Sequence, residues 1–291
     1  MANERSQRRH RAAGRTRQTL KVDLTGVSET LLITLYAKAL ESAMPDTVLR
    51  DDLAARIVGR LDYDFARLGV ERDDAIALAG RARTLDDWTR AFIEAEPHAT
   101  VVHLGCGLDT RVFRVDPPPG VAWREVDLPE VIALRRKLFP RRKGCLPVPA
   151  SVTEPDWIRA LPPDRPTFVV AEGLFPYLGE DEVPRLLGRL TGHLRGGEIA
   201  FDAFSRLGVW HFSQNRMIRA TGARLDWCLD DPRDLEREVP GLQLVEEHRV
   251  CERDQLPRFS PLARAIIATL EATPLLRRMD RLLRYRFGER A

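Results

Sequence analysis

Long apolar runs are missing from this sequence of 291 residues. Nowhere do about 18 apolar residues follow one another, so no stretch reads as a membrane-spanning helix. Cysteine is scarce. Cys106, Cys145, Cys228 and Cys251 lie far apart without a C-x-x-C pair, a pattern that supports neither a zinc site nor a disulfide framework; they read as reduced thiols, and no metal is expected. A surplus of one charge sign is missing too. The 46 basic and 43 acidic residues leave a formal charge of +3, so bulk charge gives no reason to expect nucleic acid or an anionic membrane as partner. Internal repeats are absent. The opening residues are rich in arginine but have no apolar segment behind them, which speaks against a secretory signal, and a cytoplasmic location is expected.

What is present is 44% hydrophobic side chains, enough over this length to bury the core of one large domain, expected over residues 20–291. Residues 1–19 hold almost no large apolar side chain and are expected to form a basic, disordered tail. Its arginines read either as a solvated extension or as a nucleic-acid or lipid contact. Residues 20–95 show helical periodicity, with Leu31, Leu35 and Ala39, then Leu53, Ile57 and Leu61, then Ile76 and Ala79, then Leu85, Trp88 and Phe92, and predict a helical cover. From residue 99 the period changes. Strands are expected at Thr100–Leu104, Ala122–Val126, Cys145–Val148, Thr167–Ala171 and Glu198–Phe201, with helices such as Pro129–Phe139 and Glu180–Leu194 between them. This alternation predicts an α/β, Rossmann-like doubly wound sheet over residues 99–204, with ligand bound at the carboxyl ends of the strands beside Leu104, where strand order reverses. Residues 205–240, with Trp210, His211, Phe212, Gln214, Asn215 and Trp227, read as a lid insertion over that crevice. In residues 241–291, Leu242–Val245 and Glu247–Val250 read as two late strands. Pro261–Phe287 reads as one amphipathic terminal helix with a basic face, packed on the sheet or lying on a membrane surface.

The first strand runs into Gly105-Cys-Gly-Leu-Asp-Thr-Arg111. Two glycines there let the backbone turn sharply and approach a ligand closely. A dinucleotide fingerprint would place a third glycine where Thr110 stands, and the Asp109 carboxylate would repel a pyrophosphate. That disfavours a nicotinamide-linked oxidoreductase. A mixed polar loop suits a ligand bearing an amino acid's ammonium and carboxylate, such as S-adenosylmethionine. About 20 residues on, at the end of the second strand, an acid is expected to accept from ribose hydroxyls, and Asp127 stands there, where it also reads as a cap for the helix that Pro129 starts.

Four blocks carry a family resemblance: Val101-Val-His-Leu-Gly-Cys-Gly-Leu-Asp-Thr-Arg111, Trp123-Arg-Glu-Val-Asp-Leu-Pro-Glu-Val-Ile132, Phe168-Val-Val-Ala-Glu-Gly-Leu-Phe-Pro-Tyr-Leu178, and Glu41-Ser-Ala-Met-Pro-Asp46 with Arg81-Ala-Arg-Thr-Leu-Asp-Asp87. Gly222-Ala-Arg-Leu-Asp-Trp-Cys-Leu-Asp-Asp-Pro232 extends them. Together they resemble the leucine carboxyl methyltransferase-like group of class I S-adenosylmethionine-dependent methyltransferases, in its tetracenomycin-type polyketide O-methyltransferase branch. The resemblance implies S-adenosyl-L-methionine as cofactor. It places Arg81 on the methionine carboxylate, Gly105 along the methionine portion with Gly107 and Asp109 in the same loop, Asp127 with Leu128 on the ribose, Glu172 towards the ammonium side, and Lys38 near an N-terminal contact. Tyr177 would approach the methyl-transfer region. Ser151-Val152 stand where the protein-methylating branch has an Asp-Leu pair at the adenine, which points to a small-molecule acceptor. Without that context Arg81 would read as a surface ion pair with Asp86 or Asp87.

Methyl transfer from a sulfonium is an in-line displacement in which protein supplies alignment and desolvation. A carboxylate acceptor, with a pKa of about 4, needs no base, whereas a phenol near about 10 would be helped by one. His211, in the expected lid, is the candidate base. His103 reads as a packed core residue and His193 as a helix end. The function expected is O-methylation of a small carboxylic acid or hydroxyl compound of aromatic or polyketide type. Carbon or nitrogen methylation, a non-catalytic cofactor-binding module and, on the tail alone, nucleic-acid methylation stand as alternatives.

Overall fold

The computed structural model describes residues 19–22, 24–251, 253–273 and 276–288; the expected basic tail, apart from Thr19, lies outside them. The cover begins with β1 (Leu20–Lys21) and α1 (Val27–Ser42), continues through α2 (Asp52–Val58) and β2 (Leu61–Asp62), which pairs in parallel with β1, and ends in the long helix α3 (Arg72–Ala95). Helix α3 forms because Ala75, Ile76, Ala79, Ala82, Leu85 and Trp88 recur at helical spacing and are all buried, and because Glu71 and Asp74 satisfy its first amides as a capping box. Glu41, in one of the recognised blocks, has a structural task. It accepts from Val48 N at 2.7 Å and Thr47 Oγ1 at 2.8 Å and pairs with Arg258 at 2.7 Å, fixing the turn after α1.

The core follows as β3 (Thr100–Leu104), α4 (Arg111–Val115), β4 (Ala122–Asp127), α5 (Pro129–Leu138), β5 (Cys145–Pro149), α6 (Asp156–Arg159), β6 (Thr167–Ala171), α7 (Glu182–His193) and β7 (Gly196–Phe204). The five strands are mutually parallel, as the alternation of period predicted. Strands β3 and β6 are buried at every residue because both faces of the sheet are covered. Val102, Leu104, Val169 and Phe201 meet Leu186, Leu187 and Leu190 of α7 on one face. Val101, Phe168, Val170 and Ala200 meet Leu85 and Trp88 of α3 on the other.

The chain then forms α8 (Arg206–Ser213), α9 (Arg216–Thr221), α10 (Pro232–Glu238), β8 (Gln243–Arg249), α11 (Pro261–Ala272) and β9 (Asp280–Gly288). Among the described residues the main sheet has the order β5-β4-β3-β6-β7-β9-β8, with β9 antiparallel to both neighbours.

Three expectations need correction. The stretch Pro261–Phe287 is not one helix: it is helical only to Ala272, and its last part is strand β9. From Leu283 onward the apolar residues alternate, Leu283, Tyr285 and Phe287 facing the core, while Arg284 pairs with Glu198 at 2.9 Å and with Glu246. Five residues of period 2 compete poorly with a neighbouring helical stripe until β7 and β8, remote in sequence, supply hydrogen-bond partners on both sides. Nor is the arginine face wholly solvated, since Arg281 is 1% exposed and pairs with Glu247. The two late strands are one strand, β8, with a register shift between Leu244 and Glu246. Trp227 belongs to the core instead of the lid, its ring centroid 5.9 Å from Phe175 and 6.2 Å from Phe201.

Candidate functional site

A cavity of about 460 Å³ opens at the carboxyl ends of β3, β4, β6 and β7, under α1, α8 and α9. Strand β3 is flanked by β4 on one side and β6 on the other, so the cavity sits where strand order reverses.

Its floor is the loop after β3. Gly105 has φ 56° and Gly107 φ 47°, conformations that a side chain rarely tolerates, and a Cβ on Gly105 would lie 2.8 Å from Leu174 Cδ1. The loop is pinned from two directions. Asp127, at the end of β4, accepts from Gly107 N and from its own neighbour Leu128 N, both at 2.7 Å. Arg135 of α5, paired with Glu125, donates to Gly107 O at 2.9 Å and Asp109 O at 2.8 Å. Burial raises the Asp127 carboxyl, against the two amide bonds that favour its charged form.

Beside the loop lies a buried charge cluster. Lys38 of α1 pairs with Asp109 at 3.2 Å and Glu172 at 3.1 Å. Arg81 of α3 pairs with Glu172 at 3.3 Å and with Asp202, two residues before the end of β7, at 3.0 Å. Arg111 reaches Glu172, Asp109 and Asp86, and Arg114 reaches Asp51, Asp86 and Asp109. Burial alone would raise the Glu172 carboxyl; Lys38, Arg81 and Arg111 overcome that and hold it down at about 2. Asp109 is likewise held well below the usual carboxylate range, by Arg114, Lys38 and Arg111 against the cost of burial.

Lys38, Arg81, Gly105, Gly107, Asp109 and Asp127 all line the cavity, as do Leu128, Ser151, Val152, Glu172 and Tyr177. Arg81 makes neither of the surface pairs that spacing alone suggests; Asp86 holds Arg114 instead, and Asp87 holds Arg90. Burial pushes the Tyr177 hydroxyl up to about 12, so it keeps its proton at physiological pH. His211 stands apart. It is exposed on α8 and absent from the cavity wall, to which that helix contributes Phe212. Its assignment as base is dropped, because a helix of this register can aim only one of two successive side chains inward. His211→Ala is expected to leave methyl transfer within about twofold of wild type, as for other surface substitutions; a tenfold loss of kcat would restore it as a candidate.

Several residues escape sequence reasoning. Asp202, two residues before the end of β7, enters through its contacts with Arg81 and Gly173 N. His103 reads as core but lines the cavity, kept neutral by burial and the nearby Arg111, with Nδ1 unpartnered among the described residues. Asp51, which caps α2, and Arg114 enter through tertiary contact alone. So does Asp280 at the start of β9, in a stretch expected to be helical.

A family model for leucine carboxyl methyltransferase matches residues 31–191. The tetracenomycin polyketide synthesis O-methyltransferase of Streptomyces glaucescens is 42% identical over 266 residues, which cover 91% of this chain and 98% of that protein. The S-adenosyl-L-methionine-dependent methyltransferase dpfgK of Gibberella zeae is 39% identical over 260 residues, 80% of this chain and 86% of that protein. A crystal structure from Thermobifida fusca, of a protein thought to be a methyltransferase, shares the fold with a TM-score of 0.55 at 18% identity, over 88% of this chain and 95% of its own. Sequence likeness over nearly the whole chain, on a sheet whose glycine loop and strand-end acids converge on one cavity, places the protein in the leucine carboxyl methyltransferase family, as a methyltransferase.

Proposed function

We propose that this protein transfers the methyl group of S-adenosyl-L-methionine to an oxygen, of a carboxylate or a hydroxyl, on a small aromatic or polyketide-type acceptor. The observation that carries the reading is the cluster's charge. Lys38, Arg81, Arg111 and Arg114 face the carboxylates of Asp51, Asp86, Asp109, Glu172 and Asp202, so one negative charge is in excess beside a cavity that opens on Asp127. A zwitterion carrying an additional sulfonium offsets it. Arg81 Nε is buried without a partner among the described residues, which leaves a donor for an amino-acid carboxylate. Asp127 offers the acceptor that a ribose requires, with Leu128 beside it, and Ser151 and Val152 form the wall next to them, where an adenine would lie.

When bound, the cofactor supplies a methyl group on sulfonium sulfur, whose bond breaks with its electron pair left on sulfur as the acceptor oxygen bonds the carbon. The chain's own part is alignment and exclusion of water. Glu172 and Asp109 hold the ammonium side, Tyr177 donates from the wall, and Leu78, Phe204, Phe212, Met217 and Ile218 give the other half an apolar lining suited to an aromatic acceptor. Carbon or nitrogen methylation would use the same cofactor half; that the Streptomyces relative is an O-methyltransferase favours oxygen. The reading includes one domain over residues 20–291 and a cytoplasmic location. Among the described residues no helix is long and apolar enough to cross a membrane.

Calorimetric titration of S-adenosylmethionine and of NAD into the purified protein tests the cofactor half. Saturable binding of the former alone is expected; binding of NAD alone, or of neither, overturns the reading. A broad panel of aromatic acids and phenols then tests the acceptor half, which fails if none is methylated by protein that binds the cofactor.

A further inference from the structure

Asp280 opens β9 directly opposite Phe204, the last residue of β7, and both line the cavity. The sheet order puts β7 and β9 on one side of β3 and puts β4 and β5 on the other. Asp280 therefore stands at the end of the cavity away from Asp127, Ser151 and Val152, on the acceptor's half. Its Oδ1 is buried without a hydrogen-bond partner among the described residues. Neighbouring Asp202 differs: one of its oxygens takes Arg81 and the other accepts from Gly173 N at 2.6 Å. A buried polar atom without a partner is costly in an isolated protein and fits a site that a ligand completes.

The groups around Asp280 set its charge. From β7 comes the Asp202 carboxylate, from α3 the Arg81 guanidinium already shared by Asp202 and Glu172, and from β9 itself Arg281, which donates to Leu229 O and pairs with Glu247. Cys251, also nearby, keeps its proton, its thiol pushed up to about 12 chiefly by burial. Burial and Asp202 together raise the Asp280 carboxyl to about 8, against Arg81 and Arg281. At neutral pH the group thus carries its proton and is a donor.

We propose that Asp280 is an acceptor-positioning residue, whose protonated carboxyl donates a hydrogen bond to one oxygen of a carboxylate on the acceptor and leaves the other oxygen free to take the methyl group. The inference rests on the methyltransferase reading of the cavity and narrows its acceptor to carboxylic acids. Esterification removes the acceptor's negative charge and moves no proton, so Asp280 keeps its own throughout. The neutral ester is a weaker hydrogen-bond acceptor than the carboxylate, which favours product release. Ionised Asp280 would repel the acceptor, so recognition requires the protonated form.

The test uses the full chain saturated with S-adenosylhomocysteine and 1-naphthoate as probe, titrated by calorimetry from about pH 6 to about pH 9.5. Wild-type affinity is expected to be level at low pH and to fall about tenfold per pH unit above about 8. Asp280→Asn keeps an N–H donor and cannot ionise. It is expected to bind within about threefold of wild type at neutral pH, but with no fall at high pH. A merely structural role would not remove the pH dependence while sparing the affinity. A flat wild-type profile, a fall that persists in Asp280→Asn, or no naphthoate binding at low pH overturns the inference. Binding that strengthens with pH overturns it as well. The wild-type profile decides on its own should the variant misfold. If S-adenosylhomocysteine itself does not bind, the methyltransferase reading of the cavity falls, a failure distinct from a flat naphthoate profile.

Discussion

Asp127→Ala is expected to weaken S-adenosylmethionine binding by about 100-fold or more, measured by calorimetry. The carboxylate lines the cavity at the end of β4, where it would accept from two ribose hydroxyls. Hydrogen bonds to a charged acceptor contribute about 1.5–3 kcal/mol each, and about 2.7 kcal/mol already corresponds to 100-fold. A second effect adds to the first, because Asp127 also accepts from Gly107 N at 2.7 Å and so shapes the loop that the methionine portion would follow. Asp127→Asn keeps one acceptor oxygen and is expected to lose only about tenfold. A loss below about threefold in Asp127→Ala would remove the residue from the cofactor site.

Glu172→Ala is expected to destabilise the fold by about 3–5 kcal/mol, read from denaturant unfolding, because three buried cations share this carboxylate. Lys38 and Arg81 are 2% and 6% exposed, and water cannot replace the lost partner without opening the structure. The same charges set a pH dependence. The carboxyl is held at about 2 in the folded chain, below its unfolded value of about 4.3, so its contribution is complete above that unfolded value. It is lost as pH falls from about 4 towards about 2. Asp109, held low by Arg114, Lys38 and Arg111, acts in the same direction. Unfolding curves between about pH 2 and about pH 7 should therefore be steeper for wild type than for Glu172→Gln. Equal slopes, or a loss below about 1 kcal/mol in Glu172→Ala, would show that the cluster relaxes around the missing charge.

Much of the molecule is readable without coordinates, and the reasons are local. Strands β3 and β6 are short apolar runs because both their faces are covered, and such runs are conspicuous between polar loops. Gly105, Gly107 and Asp127 are marked by position, two glycines after a strand and an acid closing the next one, since backbone geometry demands them at those points. Lys38, Arg81 and Glu172 could be named only through the family's motifs. Nothing in their immediate surroundings distinguishes Arg81 from a surface arginine able to pair with Asp87.

What sequence alone determined, then, is the parallel α/β core, the place of the crevice and the glycine loop that lines it, each of which follows from periods and turn residues within a few positions of one another. Tertiary structure alone decided three things: that Asp280–Gly288 is a strand inserted between β7 and β8, that Trp227 is core while His211 faces outward, and that Asp51, Arg114, Asp202 and Asp280 join the cluster or its edge. The physical reason is common to all three. A strand needs partners on both sides, a buried charge needs counter-charges, and those partners come from residues more than 80 positions away, 86 between Glu198 and Arg284 and 121 between Arg81 and Asp202. No local period records them.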